Sequence, residues 1–348
     1  MAAGNRQSRI KALRCISSNK IICGVAALML SACQPRPESL LQDYHTRLQR
    51  VLQITPAQPA LLYKTALPPL PDIRTVSLAI VPATIDLTDM LALDVCDLET
   101  LIAERNSSLG KVQTDAALLH YELVLLVRLD RCLQTPALAS QLAPELHTAL
   151  RQIYQQKQQQ LPAVFANLLS RDQTLRQQLA GSQRGVAPDQ GGLAETVQAL
   201  SQLNTLRRLI LQQDYQAASQ TDIIKALATL HRSQLIADVQ HSLRLSQQFF
   251  LQLNQQLAQI SATQLCKTDA AVRENLLNQI FIGRVQAELA RVDGMTTELL
   301  TPLLQLYQQH PLQLTIQQRL QMPQAGLQQQ LRQHVVFWQR WRQCDLHS

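Results

Sequence analysis

Residues 235–260 read LIADVQHSLRLSQQFFLQLNQQLAQI, and this stretch decides the fold class. Ile236, Val239, Leu243, Phe250, Leu253, Leu257 and Ile260 keep a seven-residue register, in which Ser246 is the one polar member. A helix of 3.6 residues per turn gathers such positions on one face, whereas a strand would need strict alternation. The pattern predicts a long helix over 221–262. Its apolar stripe calls for a second helix, and an antiparallel hairpin within the chain accounts for it better than a partner's coiled coil.

The rest of the 348 residues extends the same theme. Gln makes up about one residue in seven, only 10 residues are Gly, and aromatics are 4%. Leu and Ala supply apolar faces and Gln supplies uncharged polar ones, a composition that favours helix. The expected fold is all-α: a multi-helix bundle with long antiparallel hairpins. A first amphipathic helix is expected over 38–54, with Leu41, Tyr44, Leu48, Val51 and Leu52 on one side. Pro56, Pro59, Pro68, Pro69 and Pro71 then hold the chain extended as a strap or spacer. Val76, Leu78 and Ile80 alternate with Ser77 and Ala79, the pattern of a short strand or an extended edge over 75–81. A helix is expected after Asp86, carrying Leu87, Leu91, Val95, Leu98 and Ile102 on one face. Residues 114–133 are apolar almost all round, which predicts a central helix. Pro144 and Pro162 fit first turns and predict helices over 144–160 and 162–180. The loop 181–192 is the best internal boundary between an N-terminal helical part, 73–180, and a C-terminal one, 193–348. Further helices are expected at 193–217, 270–292, 296–310 and 324–343, broken by Asp293-Gly294, Pro311 and Pro323.

The first 32 residues have a different character. Arg6, Arg9, Lys11, Arg14 and Lys20 form a positive lead without an acid, followed by the apolar run Ile21 to Leu30. That run is too short to cross roughly 30 Å of hydrocarbon and suits a signal peptide over 1–32. Leu30-Ser31-Ala32-Cys33 resembles the lipobox of bacterial lipoproteins, in which the Cys thiol takes a diacylglycerol and becomes residue one after cleavage. A plain secretory signal with a chance Cys is the alternative. The resemblance implies an anchor of two or three acyl chains, palmitate among them, on Cys33. Each buried methylene adds about 0.8 kcal/mol, so several chains hold where one would not. Gln34 follows, where Asp would favour inner-membrane retention in such lipoproteins. The resemblance therefore implies the periplasmic face of an outer membrane, with residues 33–72 as anchor, first helix and strap.

Removing that peptide changes the charge. The whole chain carries 32 basic and 25 acidic residues, a formal +7, but the five basic residues of the leader leave only a slight excess behind. Neither nucleic acid nor an anionic surface is called for as a partner. Four cysteines remain beyond Cys33: Cys96, Cys132, Cys266 and Cys344. An even number in an oxidising compartment predicts two disulfides, with three connectivities open. No pair has C-x-x-C spacing and no His pair joins them, so no metal site is expected.

Catalytic patterns are missing from the sequence: there is no G-x-S-x-G elbow, phosphate-binding glycine loop or H-E-x-x-H. No cofactor is expected. His231 and His241 lie ten residues apart, about 80° around one helix, which is poor for chelation. The most interesting polar set is Glu104, Arg105, Asn106, Ser107 and Ser108 beside His120 and Glu122. An unpaired Glu122 in so apolar a helix would be costly, and Arg105 is its natural partner. One reading makes these groups a buried polar network that fixes a turn. The other makes His120 or Glu122 a general base acting on Ser107, hence a periplasmic hydrolase. At the C-terminus, Leu327, Leu331, Val335, Trp338 and Trp341 form a stripe, with Arg332 and Arg340 elsewhere; it is either a last core helix or a docking surface or interfacial membrane contact.

The run Cys96-Asp97-Leu98-Glu99-Thr100-Leu101-Ile102-Ala103-Glu104-Arg105-Asn106-Ser107-Ser108-Leu109-Gly110-Lys111, then Tyr121-Glu122 and Cys132, resembles the lipoprotein family catalogued as domain of unknown function 3080. Cys33-Gln34-Pro35-Arg36-Pro37-Glu38-Ser39-Leu40-Leu41 is similar to it too. The likeness covers about 33–135; beyond, it is one of helical, Leu- and Gln-rich character. It implies an envelope lipoprotein and supplies no activity or catalytic residue. The expected role is a non-catalytic scaffold, adaptor or accessory factor, held to the membrane through Cys33 and facing an envelope protein. The favoured disulfides are Cys96–Cys132, close in sequence and both inside this stretch, and Cys266–Cys344. A symmetrical hairpin turning near residue 109 leaves Cys132 about 13 Å too far along its helix. The pairing therefore requires a lopsided turn, or a helix that begins late after Cys96.

Overall fold

The structure, a computed structural model, describes residues 37–54, 67–83 and 91–346. The expected signal peptide and lipobox (Leu30, Ser31, Ala32), Cys33, Gln34, Pro56, Pro59 and the start of the helix after Asp86 lie outside them. Among these residues ten α-helices of eight residues or more carry the architecture: α1 Pro37–Leu52, α2 Glu99–Asn106, α3 Asp115–Gln134, α4 Pro144–Arg171, α5 Gln173–Ala180, α6 Leu193–Leu211, α7 Ile223–Ser233, α8 Leu235–Ala258, α9 Ala287–Leu306 and α10 Met322–Arg342. Side chains set where several begin. Thr114 caps α3 at Ala117 N–H, Asp172 caps α5 at Leu175 N–H and Asp222 caps α7 at Lys225 N–H. Each cap satisfies a backbone donor that the helix itself cannot.

The expected all-α bundle is what the chain forms, and α3 and α4 make its clearest antiparallel hairpin. Asp115 meets Arg171, Glu122 meets Lys157 and Asp130 meets Tyr154, so one helix descends as the other rises. The long register of α8 finds a different partner. Asn254 bonds Gln330 and His334, and Arg340 reaches the carbonyls of Leu257 and Ile260. Residue numbers rise together on both helices, so α8 and α10 run parallel. Cys266–Cys344 closes the end of this pair, with Cα atoms 5.1 Å apart.

Several expected boundaries move, each for a physical reason. Pro162 does not start a helix; α4 runs through it to Arg171. The hydrogen bond lost at Pro162 is offset by burial of Leu161, Val164, Phe165, Leu168 and Leu169 around it. Asp293-Gly294 likewise lies inside α9, since a mid-helix glycine costs only about 1 kcal/mol. The helix expected over 221–262 breaks at Gln234, whose φ is +45°. Buried Gln178 serves both broken ends, donating to Leu230 O and accepting from Ala237 N–H. Before α9, residues Leu276–Gln286 form a π-helical stretch continuous with it.

The short strand expected at 75–81 is not formed. Ile73–Val76 makes one helical turn capped by Asp72. Leu78 then exchanges both backbone hydrogen bonds with the Asn167 amide, and Gln156 donates to Val81 O. Side-chain amides of α4 thus take the place of a neighbouring strand. The strap ahead of it is pinned by arginines: Arg319 donates to Pro68 O and Arg176 to Pro71 O.

The loop at 181–192 is observed, and it is tied in on both sides. Gly185 N–H donates to Glu38 Oε1 at 2.8 Å, and Val186 N–H to Ser242 Oγ at 2.9 Å. One apolar core draws residues from Leu40 to Cys344, so the helical parts flanking the loop share it. A second, smaller cluster surrounds Cys96–Cys132 and takes in Leu93, Leu98, Leu125, Leu129, Leu142, Leu146 and Leu150.

Candidate functional site: a charged cavity along the α3–α4 hairpin

The segment that carries the family likeness builds the wall of a cavity of about 530 Å³. Its turn is assembled locally. Ser107 Oγ accepts from Gly110 N–H and donates to Glu104 O, which folds Ser108–Lys111 into a single turn. Gly110 sits so close to the carbonyls of Glu104 and Arg105 that a Cβ there would lie 2.3 Å from an oxygen. Only glycine fits. Arg105 folds back to donate to Gly110 O and stands 5.9 Å from the Tyr121 ring centroid.

The first disulfide, Cys96–Cys132, forms with Cα atoms 5.3 Å apart. The 13 Å mismatch disappears because no continuous helix spans 87–105 among the described residues. Leu91–Cys96 is a tight 3₁₀ turn, Asp97 has φ +54°, and α2 begins only at Glu99. The late start is what lets Cys96 reach Cys132.

Inside the cavity, the expected Glu122–Arg105 pair gives way to Glu122–Lys157. Lys157 Nζ lies 2.7 Å from Glu122 Oε1, with Glu122 buried and Lys157 part-buried. Arg105 is held instead by the turn and the Tyr121 face. Nearer the start of α3, Asp115 pairs with Arg171 at 3.5 Å. Burial raises the Asp115 carboxyl above the usual range despite the pull of Arg171. Burial, reinforced by the Glu122 charge and opposed by Arg105, pushes the Tyr121 hydroxyl up to about 12.

His120 and Ser107 stay apart from these groups. His120 lines a separate groove with Glu104, Gln113 and Ile224, on the other side of α3 from Glu122. A helix turns about 200° over two residues, so the two cannot face one site. Asn106 lines the cavity, Ser107 lines neither space, and the hydroxyl of Ser107 is engaged by the turn. The structure therefore separates the three groups of the hydrolase reading.

Two other His environments escaped the sequence reading. Ser170 Oγ lies 3.1 Å from His310 Nε2, a nucleophile–base distance. But His310 Nδ1 accepts from Leu312 N–H, which leaves the proton on Nε2, where Ala166 O accepts it at 2.9 Å. In that tautomer the ring cannot take a proton from Ser170. His334 is sealed among Tyr44, Phe250, Phe281, Phe337 and Trp338. Asn254 Oδ1 accepts from its Nδ1 and Tyr44 O–H donates to its Nε2. Burial holds this ring neutral and lowers its pKa to about 3.

His231 is exposed, while His241 stands 3.3 Å from Glu38 on the first helix. Among the described residues no three His, Cys, Asp or Glu side chains converge as metal ligands. The C-terminal stripe proves to be core, with a shifted register. Leu327, Trp338 and Trp341 are buried, His334 and Phe337 join them, and Val335 is 44% exposed. Arg332 is exposed and Arg340 caps the carbonyls at the end of α8.

No described helix is long and apolar enough to cross a membrane. No curated protein and no solved structure matches the chain. A family model described as "Protein of unknown function (DUF3080)" matches residues 41–348, well past the 33–135 that carried the likeness, and the chain belongs to that family.

Proposed function

We propose that the protein is a lipid-tethered, non-catalytic accessory factor of the cell envelope, on the periplasmic face of the outer membrane. One observation carries the reading most of the way. The lipobox Cys33 lies four residues before Pro37, the first residue of α1, whose Leu40, Leu41, Tyr44, Leu48 and Leu52 are all buried. Four residues span at most about 14 Å, so an acyl anchor on Cys33 would hold the folded body against the bilayer. Such a protein works at the membrane surface rather than across the periplasm. Glu38, at the start of α1, is fixed to Gly185 and faces His241, which makes the attachment point stiff. Two disulfides suit an oxidising compartment. Gln34 supports sorting to the outer membrane.

The hydrolase reading draws no support from the positions of Ser107, His120 and Glu122, and the scaffold or adaptor reading is preferred. The test is metabolic labelling with a fatty acid in a Gram-negative host, followed by membrane fractionation. Wild type should label and sediment with the outer membrane. Cys33→Ser should lose the label and leave an unprocessed or soluble product. Labelling that survives the substitution overturns the proposal.

A further inference from the structure

The α3–α4 cavity is shaped for an amphiphile, and we propose that it binds a single acyl chain bearing an anionic head. The inference stands on the cavity alone and does not depend on the tether. Its length follows from the helices. Lining residues on α3 run from Asp115 through Leu118, Tyr121, Glu122 and Leu125 to Leu129, and those on α4 from Arg171 back to Ile153. Fourteen residues of helix between Asp115 and Leu129 make about 21 Å. A space that is long against its volume suits an extended chain better than a compact metabolite.

The two ends differ chemically. The far end is lined by Leu98, Ile102, Leu125, Leu129 and Ile153, beside the Cys96–Cys132 disulfide cluster. The near end gathers Arg105, Asn106, Lys111, Asp115 and Arg171. Charge decides what head that end accepts. Glu122 is matched by Lys157 and Asp115 by Arg171, each within salt-bridge distance. Arg105 and Lys111 then remain as cations without a carboxylate partner among the described residues. They sit on one turn, because Arg105 donates to Gly110 O, next to Lys111. Two surplus cations above an apolar trough complement a carboxylate or phosphate on a hydrocarbon tail. They exclude a cationic amphiphile. The matched pair Glu122–Lys157 half-way along neutralises itself and adds no net charge to the path of the tail.

The experiment uses residues 33–348 expressed without the leader and with Cys33→Ser, kept free of detergent, since Pro35–Ser348 forms one compact unit. A fluorescent acyl probe, dansyl-undecanoate, is titrated and then displaced with palmitate, lysophosphatidylglycerol or dodecyltrimethylammonium. Saturable one-to-one binding is expected, displaced by at least one anionic ligand and not by the cationic one. Displacement by palmitate alone assigns a free fatty acid; displacement by the lysolipid alone assigns a phosphate head. Arg105→Gln and Lys111→Gln should each weaken binding roughly ten-fold, the scale of a lost charge-assisted hydrogen bond. Ile102→Trp, at a half-buried lining position, should block the tail without touching the head. Circular dichroism and a thermal melt establish that each variant is folded. No saturable binding, equal displacement by the cationic amphiphile, or affinity unchanged in all three folded variants overturns the proposal.

Discussion

Lys157 Nζ and Glu122 Oε1 meet at 2.7 Å across the α3–α4 hairpin, in a site where the two side chains are only 12% and 7% exposed. A helix as apolar as α3 keeps a carboxylate because α4 delivers a cation to the same depth. The sequence distance of 35 residues hides this partner, whereas Arg105 stands closer along the chain. Burial makes the pair costly to break and cheap to replace whole. Glu122→Gln and Lys157→Met should each destabilise by about 2–4 kcal/mol. The double variant should cost less than the sum of the two. Urea unfolding of all four proteins supplies the cycle. Arg105→Gln combined with Glu122→Gln should be additive, because Arg105 bonds the turn instead. Coupling of Glu122 with Arg105, and none with Lys157, would reverse the assignment.

The disulfides give a second expectation. Loop closure in the unfolded chain grows slowly with length, so bridges spanning 36 and 78 residues should each stabilise by a few kcal/mol. Cys266→Ala with Cys344→Ala should cost somewhat more than Cys96→Ala with Cys132→Ala, and should release the end of α10 to faster hydrogen exchange. Non-reducing peptide mapping should recover Cys96–Cys132 and Cys266–Cys344. A Cys96–Cys266 peptide, or four free thiols, contradicts the structure.

Acid should unfold the protein through its buried histidines. Burial lowers the pKa of His334 to about 3, and also lowers those of His310 and His45. Folded-state values below the unfolded one mean that the unfolded chain takes up protons which the folded one refuses. Stability is therefore complete above about pH 6.5 and falls as the pH drops, down to about 3 for His334. Each histidine that stays neutral contributes a slope of about 1.4 kcal/mol per pH unit. Urea midpoints between pH 7 and 5 should fall accordingly, and His334→Gln should remove one proton's share of that slope. An unchanged slope in that variant would mean that His334 is not kept neutral by the fold.

What could be read from the sequence was the existence of most helices and a favoured pairing of the four cysteines among three connectivities, which the structure forms. Periodicity reports which face of a helix is apolar, and α1 and α8 show it plainly. It does not report which helix covers that face, and so the parallel pairing of α8 with α10 was not legible. Local punctuation misled where packing overrode it, at Pro162 and Gly294. It was silent where a residue with no turn preference, Gln234, took a positive φ. At the candidate site, Arg105, Asn106 and Glu122 were found because polar groups stand out against apolar surroundings. Lys157, Arg171 and Asn167 were missed because α4 is Gln-rich and reads as an ordinary surface helix.

The break at Gln234 carries the last prediction, because its stability rests on a side chain far away in sequence. Gln178 is 3% exposed, and its amide donates to Leu230 O at 2.6 Å and accepts from Ala237 N–H at 3.4 Å. Gln240 Nε2 returns the contact by donating to Gln178 O at 2.7 Å. Without this amide, the Ala237 N–H at the start of α8 would lose its partner and Leu230 O at the end of α7 would keep only the long 3.4 Å bond from Ser233 Oγ. Each such group costs about 1–3 kcal/mol. Gln178→Leu, which keeps the volume, should therefore destabilise by about 2–4 kcal/mol and raise hydrogen exchange around 230–238. Gln234→Gly should do the opposite locally, since glycine adopts positive φ without the Cβ clash and relieves about 1 kcal/mol. Exchange mass spectrometry on both variants checks the pair. If Gln178→Leu is as stable as wild type, or if its added exchange lies elsewhere, the bridge does not hold the two helices.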